Sequence, residues 1–188
     1  MSSSQATPAP TQRLRHHGVP VRLLRLGAAG AILAAAAVAA LNGAAYRALE
    51  AAGAAFLLER LFPGDSSASR DTFWIVTEHF AQGFRVSVEC TSLILIAPLL
   101  ILAAVMLAAT RVRFWRLAVA IPVMLSIITV INELRLALIG FSSITWGMNA
   151  GYQISHTFVG SVLGIFGFVA GLATLLVISL GRRRKQRL

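Results

Sequence analysis

The sequence contains only one cysteine, Cys90, among its 188 residues. A single thiol cannot form an internal disulfide, and no group of Cys and His residues has the spacing of a zinc site. The sequence therefore predicts neither a disulfide-stapled fold nor a metal site, and we expect no cofactor. Cys90 is then either a packing residue or a reactive group.

Charged residues are also scarce, at 13% of the chain, and only seven of them are acidic. Apolar residues make up 57% of the chain and the mean hydropathy is +0.76, which is unlike a water-soluble domain. The net charge of +10 does not indicate nucleic-acid binding, because the basic residues occur in short clusters that flank apolar runs. This composition predicts an integral membrane protein.

Four long apolar runs predict an all-α polytopic membrane protein. The predicted spans cover about residues 26–46, 91–109, 117–138 and 157–180, each close to the ~20 residues that cross a bilayer. A cleaved signal peptide is the alternative for the first run. That run is longer than the usual apolar segment of a signal peptide and is not closed by a small-x-small site, so we favour an uncleaved span.

The predicted spans lie in a single membrane-embedded domain, residues 21–180. Residues 1–20 are rich in Ser, Pro, Thr and Gln and predict a disordered tail, and residues 181–188 form a short basic tail. Residues 44–62 are good helix formers with scattered charges, which predicts an amphipathic helix at the membrane surface. Residues 64–70 are polar and Ser-rich, and we expect a loop.

The segment before Cys90 has the pattern of strands. Residues 72–80 are crowded with β-branched and aromatic side chains, and residues 84–89 alternate apolar and polar. With a turn at residues 81–83, they predict a small β-hairpin whose second strand leads directly into Cys90. Residues 140–155, between the last two spans, contain no charge and predict a short loop.

The basic clusters orient the spans. The N-terminal tail, the Arg111 to Arg116 loop and the C-terminal tail hold most of the 17 basic residues and none of the seven acids. Since cytoplasmic loops carry an excess of Lys and Arg, we expect both termini in the cytoplasm. Cys90, Arg135 and His156 then fall at the outer ends of their spans, at nearly the same depth.

A thiol, an imidazole and a guanidinium at one membrane surface form a candidate site for acyl transfer. The thiol attacks a carbonyl carbon, the imidazole moves protons and the guanidinium stabilises the oxyanion. Each residue also has an ordinary explanation: Cys90 as a small packing residue, His156 as an interfacial polar group, and Arg135 as a side chain that snorkels to the headgroups. Their convergence favours a site, because ionisable residues are costly inside membranes.

Four neighbours are candidate substrate contacts. Asn132 precedes Arg135 by three residues and shares its helix face, so it can orient either the guanidinium or a substrate amide. Glu89, Thr91 and Ser92 flank Cys90. The negative charge of Glu89 disfavours a thiolate, whereas a helix N-terminus and nearby cations favour it, and the sequence leaves this balance open. A stripe of glycines also follows His156 along the last span and predicts close helix packing there: Gly160, Gly164, Gly167 and Gly171.

The chain resembles the exosortase/archaeosortase family of membrane-embedded cysteine transpeptidases. The matching elements are Glu89-Cys90-Thr91-Ser92 opening one span, Asn132-Glu133-Leu134-Arg135 ending the next, and His156 with Gly160 opening the last. The resemblance covers roughly residues 84–180. Many members carry Gly where this chain has Ser92, and many are longer.

The resemblance implies a catalytic site of Cys90, Arg135 and His156. Such a site is expected to cleave C-terminal sorting tails from secreted, membrane-anchored proteins at the outer face of the cytoplasmic membrane. The reaction passes through a Cys thioester, and the new carboxyl end is hydrolysed or transferred to an acceptor that the sequence does not identify. No nucleic-acid partner is expected.

Two other functions stay open. The first is a non-enzymatic membrane scaffold or partner-binding subunit in which Cys90 only packs. The second, a membrane serine protease, is weaker, because Ser155 and His156 are adjacent and no Gly-x-Ser-x-Gly elbow occurs. The sequence does not identify the recognition motif of the substrate or the oligomeric state.

Overall fold

Helices make up most of the structure. The computed structural model describes residues 19–62, 64–77, 81–110 and 112–181, with side chains from residue 21 onward. The five α-helices are α1 (Val19–Leu41), α2 (Gly43–Leu61), α3 (Leu93–Ala109), α4 (Phe114–Trp146) and α5 (Gly160–Leu180). Together with a small antiparallel sheet they confirm the predicted mostly helical, polytopic class. The predicted tails lie largely outside the described residues, except that Val19 and Pro20 already belong to α1.

Three stretches of helix are long and apolar enough to cross a membrane: Val21–Leu41, Phe114–Gly151 and Ile154–Leu180. Helix α3 has 17 residues, at the lower end of the about 17–25 that span a bilayer. Its crossing, the second of the four predicted spans (residues 91–109), therefore stays a prediction.

The first apolar run divides into two helices. Helix α1 ends at Leu41 and α2 begins at Gly43, rather than one span running over residues 26–46. At the junction the Asn42 side chain donates a hydrogen bond to the Val38 carbonyl at 2.8 Å. Such local bonds compete with regular helix, and the single residue Asn42 separates the two helices.

Helix α4 is longer than its predicted span. Its 33 residues extend over about 50 Å, against a hydrocarbon core of about 30 Å. The short loop predicted at residues 140–155 is wrong: α4 continues to Trp146, and π-helical turns over Gly147–Gly151 and Ile154–Val159 lead into α5. Gly147, with φ of +83°, is the first residue that breaks the helix.

The β-structure is larger than the predicted hairpin. Strands β1 (Asp65–Ser69), β2 (Thr72–Val76) and β3 (Ala81–Arg85) form an antiparallel sheet in the order β1-β2-β3. The loop predicted at residues 64–70 is therefore wrong, since most of it is β1. That strand has no apolar alternation, and its pairing with β2 rather than its own composition makes it a strand.

The predicted turn and second strand also differ from the structure. Residues 81–83 lie in β3, residues 78–80 of the predicted hairpin lie outside the described residues, and Val88–Cys90 forms a 3-10 turn instead of continuing a strand. Gly83 pairs with Trp74, and a Cβ at Gly83 would lie 2.7 Å from the Trp74 ring. The glycine that resembled a turn signal thus allows close packing within the sheet.

Two buried apolar clusters divide the molecule. The first joins α1, α3, the N-terminal part of α4, and α5, and includes Leu99, Leu117 and Ile128. The second joins α2, the sheet and the C-terminal part of α4. In it, the rings of Phe73 and Phe84 stack at 5.3 Å. Cys90 belongs to this second cluster, so the long α4 connects the membrane bundle to the site.

Asp71, in the β1–β2 turn, ties the sheet to the segment that leads to Cys90. Its carboxylate accepts a hydrogen bond from Arg85 Nε at 3.0 Å, and its backbone carbonyl accepts the Val86 N–H at 2.8 Å. The Arg85 hydrogen bond holds the pKa of Asp71 below its ordinary value. An exposed pair of this kind contributes little to stability. Its effect here is to fix the direction in which the chain leaves β3 toward Cys90.

The opposite end of the bundle is basic. The Arg25 guanidinium donates to the Thr110 and Val112 carbonyls at 2.7 and 3.1 Å, and Arg116 Nη1 donates to the Gly181 carbonyl at 3.0 Å. These contacts bring the start of α1, the end of α3, the start of α4 and the end of α5 together. Cations beside the carboxyl ends of helices also satisfy carbonyls that have no intrahelical partner.

Candidate active site

Cys90 lies in a short turn that is held from both sides. Its N–H donates to the Ser87 carbonyl at 3.1 Å, which closes the 3-10 turn just before α3. The residue is 4% exposed and packs in the cluster that contains Val86 and Leu136. The thiol is therefore fixed in position at the start of a helix.

The structure brings His156 and Arg135 to the sulfur of Cys90, so the three predicted residues meet. Cys90 Sγ lies 3.2 Å from His156 Nε2, within hydrogen-bonding distance for sulfur, and 4.0 Å from Arg135 Nη2. They come from the turn before α3, from α4 and from the π-helical turn before α5. A thiol, a proton acceptor and a fixed cation thus meet where a thiolate can form.

The imidazole of His156 is held by an aromatic neighbour. The Tyr152 ring stacks on it with centroids 5.1 Å apart and planes 19° from parallel. Burial raises the pKa of the Tyr152 phenol, and the charge of Cys90 raises it further, so the phenol stays neutral. The sequence analysis did not identify Tyr152, although its i, i+4 spacing to His156 was an available signal.

Ser155, the alternative nucleophile, is directed elsewhere. It is 3% exposed, and its hydroxyl donates to the backbone carbonyls of Gly151 and Tyr152. A hydroxyl engaged with its own helix backbone is not presented to His156. This arrangement weakens the serine-protease alternative.

The position of Arg135 depends on the packing of α4 against α5. A Cβ at Gly160 would lie 3.0 Å from Arg135 Nε, so the absence of a side chain leaves room for the guanidinium. Gly167 and Gly171 similarly face Ile131 and Ile128, whereas a Cβ at Gly164 would meet no atom of the described residues within 4 Å. Three of the four glycines in the predicted stripe therefore allow close approach.

The same region is matched by a known family. The family model described as transmembrane exosortase matches residues 32–177, which include all three residues at the sulfur. The chain belongs to the transmembrane exosortase family. No curated protein and no solved structure gives a significant match.

This exosortase contains a buried carboxylate that the sequence analysis missed. Glu50, in α2, is 2% exposed, and its Oε1 accepts hydrogen bonds from the Ser92 N–H at 2.6 Å and from Asn132 Nδ2 at 3.0 Å. Residues 44–62 were expected to lie on the membrane surface, where a glutamate is common. The helix is present, but one face is buried against α4 and the sheet.

Of the four candidate substrate contacts, three are buried: Thr91, Ser92 and Asn132. Thr91 Oγ1 accepts the Leu93 N–H at 3.3 Å, and Ser92 Oγ lies 2.9 Å from the Tyr46 hydroxyl. Their burial argues against direct contact with a substrate. Thr91 and Ser92 hold the start of α3 instead, and Asn132 bonds to Glu50 and Arg135. The hydroxyl of Ser92, which stands where many family members carry Gly, thus has a partner in α2.

Glu89 is the exposed member of this group. A hydrogen bond from the Ser87 side chain lowers the pKa of Glu89, and the charge of His156 lowers it further. The carboxylate is therefore ionised at neutral pH and lies near the imidazole. It is placed at the surface of the site rather than beneath the thiol.

An open cavity of about 220 Å³ leads to the thiol. Its walls come from β3, the C-terminal part of α4 and the π-helical turns, and most of the lining is apolar: Phe73, Phe84, Leu136, Ile139, Met148 and Tyr152. Cys90 and His156 also line it. A peptide that enters this cavity meets the sulfur.

Proposed function

We propose that this protein is a membrane cysteine transpeptidase that cleaves C-terminal sorting tails from secreted proteins. The observation that carries the proposal is the position of Cys90 Sγ, 3.2 Å from His156 Nε2 and 4.0 Å from Arg135 Nη2. Membership of the exosortase family supports it. Cys90 is the nucleophile, His156 the general acid and base, and Arg135 the oxyanion-stabilising group.

The first half-reaction forms a thioester. His156 Nε2 takes the proton of the Cys90 thiol, and the thiolate attacks the scissile carbonyl carbon to form a C–S bond. The carbonyl electron pair moves to oxygen, where the guanidinium of Arg135 stabilises the negative charge. When that pair returns, the C–N bond breaks, and the tail leaves as an amine that receives its proton from His156.

The second half-reaction releases the product. An acceptor, which is water or an amine or hydroxyl group, gives its proton to His156 and attacks the thioester carbon. The C–S bond breaks and the sulfur regains a proton. Water yields hydrolysis, an amine yields an amide and thus transpeptidation, and a hydroxyl group yields an ester. All three outcomes need the same three side chains.

The bilayer delivers the substrate. A sorting tail that consists of a recognition motif, an apolar helix and a basic cluster places its motif at a fixed depth. The basic end, which includes Arg25 and Arg116, faces the cytoplasm under the positive-inside rule. The thiol then lies at the outer face of the cytoplasmic membrane, with both termini in the cytoplasm, and residues 21–180 act as one catalytic domain.

The proposal is tested by replacing the gene in its own host with a Cys90→Ala allele. Secreted proteins that carry such tails are expected to keep them, which mass spectrometry of their C-terminal peptides measures directly. The variant protein should still be inserted in the membrane at normal abundance, because only one buried sulfur is lost.

A Ser155→Ala allele is the matched control and should process tails normally. Normal processing in the Cys90→Ala strain would overturn the proposal. That result would favour the alternative in which the protein is a non-enzymatic scaffold.

A further inference from the structure

Glu50 is a buried carboxylate without a counter-ion among the described residues in contact with it. Its Oε1 accepts two hydrogen bonds, while Oε2 has no hydrogen-bond partner in the described part of the chain. A buried carboxylate is costly unless its interactions compensate for the lost hydration. The retention of such a group at 2% exposure therefore needs an explanation.

One oxygen of Glu50 connects the two halves of the proposed site. The Ser92 N–H lies two residues after Cys90, at the start of α3, and is 2.6 Å from Oε1. Asn132 Nδ2 is 3.0 Å from the same oxygen, and Asn132 Oδ1 is 3.5 Å from Arg135 Nη1. The carboxylate therefore links the segment that carries the nucleophile to the helix face that carries the guanidinium.

The polarity of this chain of contacts is fixed by chemistry. Glu50 Oε1 accepts the Ser92 N–H, and the guanidinium of Arg135 only donates hydrogen bonds. Asn132 lies between the two and must therefore turn its NH₂ toward Glu50 and its oxygen toward Arg135. A reversed amide would place oxygen against oxygen on one side and NH₂ against a cation on the other.

We propose that Glu50 is a positioning residue for the transpeptidase, acting through Asn132 on Arg135 and through Ser92 on the Cys90 turn. The inference rests on the proposed function. Glu50 touches neither Cys90 nor the cavity that leads to it. Its role is to hold the guanidinium at its distance from the sulfur, so that negative charge on the sulfur is stabilised.

The test uses the single cysteine, since any thiol reactivity of the purified protein in lipid nanodiscs belongs to Cys90. The probe is iodoacetamide, with the alkylated protein measured by intact mass. Asn132→Asp places two acceptors face to face and should slow alkylation about tenfold, the effect of losing one hydrogen bond to a charged group. Glu50→Asp, one methylene shorter, cannot reach both partners and should also be slow.

The decisive variant is the double substitution Glu50→Gln with Asn132→Asp. The new amide at position 50 can accept from the Ser92 N–H with its oxygen and donate with its nitrogen to the new carboxylate at position 132. This restores the chain of contacts, with only the hydrogen bond between positions 50 and 132 reversed. We expect its alkylation rate to return to within about threefold of the wild type, well above that of Asn132→Asp alone. A role for Glu50 that does not pass through Asn132 would not produce this rescue. Glu59→Gln, an exposed glutamate of the same helix, is the matched control and should react normally.

Arg135→Gln separates the inference from the proposed function. If Arg135→Gln slows alkylation but Asn132→Asp and Glu50→Asp do not, or if the double variant is no faster than Asn132→Asp, the positioning role is overturned and the proposed function stands. If Arg135→Gln also reacts at the wild-type rate, the guanidinium does not activate the thiol and the positioning role is overturned, whereas the proposed function is decided separately by tail processing in the Cys90→Ala strain. Thermal unfolding identifies variants that fail to fold. If Asn132→Asp is one of them, the alkylation rate of Glu50→Asp decides the inference alone.

Discussion

The two charged side chains near Cys90, Arg135 and Glu89, differ in how strongly solvent screens them. Arg135 is partly buried beside the sulfur, whereas Glu89 is exposed at the edge of the site. Two unit charges 4 Å apart interact by about 4 kcal/mol near a protein surface but only about 1 kcal/mol in bulk water. The solvated carboxylate of Glu89 therefore opposes the thiolate less than the guanidinium favours it.

Even a conservative replacement of Arg135 is expected to lower the rate of tail cleavage. Its two terminal nitrogens reach Asn132 and Cys90 separately, and a lysine has one ammonium in place of this planar fork. Arg135→Lys should lower the rate of tail cleavage by at least about 100-fold, as does loss of an oxyanion donor in other enzymes. The rate is measured as loss of the tail from a tailed substrate protein.

Arg60→Lys, an exposed substitution in α2, provides the control for Arg135→Lys. This variant makes the same Arg-to-Lys change at a position away from the sulfur, and it should cleave tails at the normal rate. Cleavage by Arg135→Lys at the rate of this control would show that charge alone is enough, and would contradict a role for the guanidinium geometry.

At the scale of elements, the α4–α5 seam controls where the guanidinium can lie. Gly160 and Gly164 are both glycines of the last helix, one turn apart. Alanine at either position should gain helix propensity, about 0.5–1 kcal/mol relative to glycine. Only the Gly160 position has Arg135 against it.

Gly160→Ala is therefore expected to displace Arg135 and slow tail cleavage by roughly tenfold, since small misplacements of catalytic groups are costly. Gly164→Ala should cleave at the wild-type rate and unfold at a slightly higher temperature. The two variants are compared by cleavage rate and by thermal unfolding. Equal cleavage rates would mean that the seam does not position Arg135.

The elements also show which features a sequence can predict. Long apolar runs are a local property, so the helices and the meeting of Cys90, Arg135 and His156 at one end of them were predictable. Strand β1 was not, because its Ser-rich composition becomes a strand only through pairing with β2. Glu50 was not predictable either, since nothing in α2 indicates that it faces Asn132 in α4.

At the scale of the whole molecule, the basic end and the thiol lie at opposite ends of the bundle. Arg25 and Arg116 lie at the basic end. The orientation of the protein in the membrane therefore decides on which side of the membrane Cys90 lies. A membrane-impermeant maleimide should label Cys90 in intact cells stripped of their outer layers. Labelling is expected to be slow, because the residue is 4% exposed.

A Cys90→Ala, Arg113→Cys double variant is the control for orientation. Residue 113 is exposed near the basic end and should be labelled only in inverted vesicles. Labelling of this variant in intact cells, with wild-type Cys90 labelled only in inverted vesicles, would place the site in the cytoplasm. A tail delivered from the outer face would then be excluded.

The whole account depends on a covalent bond between Cys90 and the substrate. The direct measurement is to incubate the purified protein in nanodiscs with a tailed substrate protein and to detect a covalent adduct that neutral hydroxylamine cleaves, as it does thioesters. Because Cys90 is the only cysteine, we predict one adduct, on the peptide that contains Cys90, and none in Cys90→Ala. Tail cleavage that continues in Cys90→Ala, with no hydroxylamine-sensitive adduct in the wild type, would contradict the account.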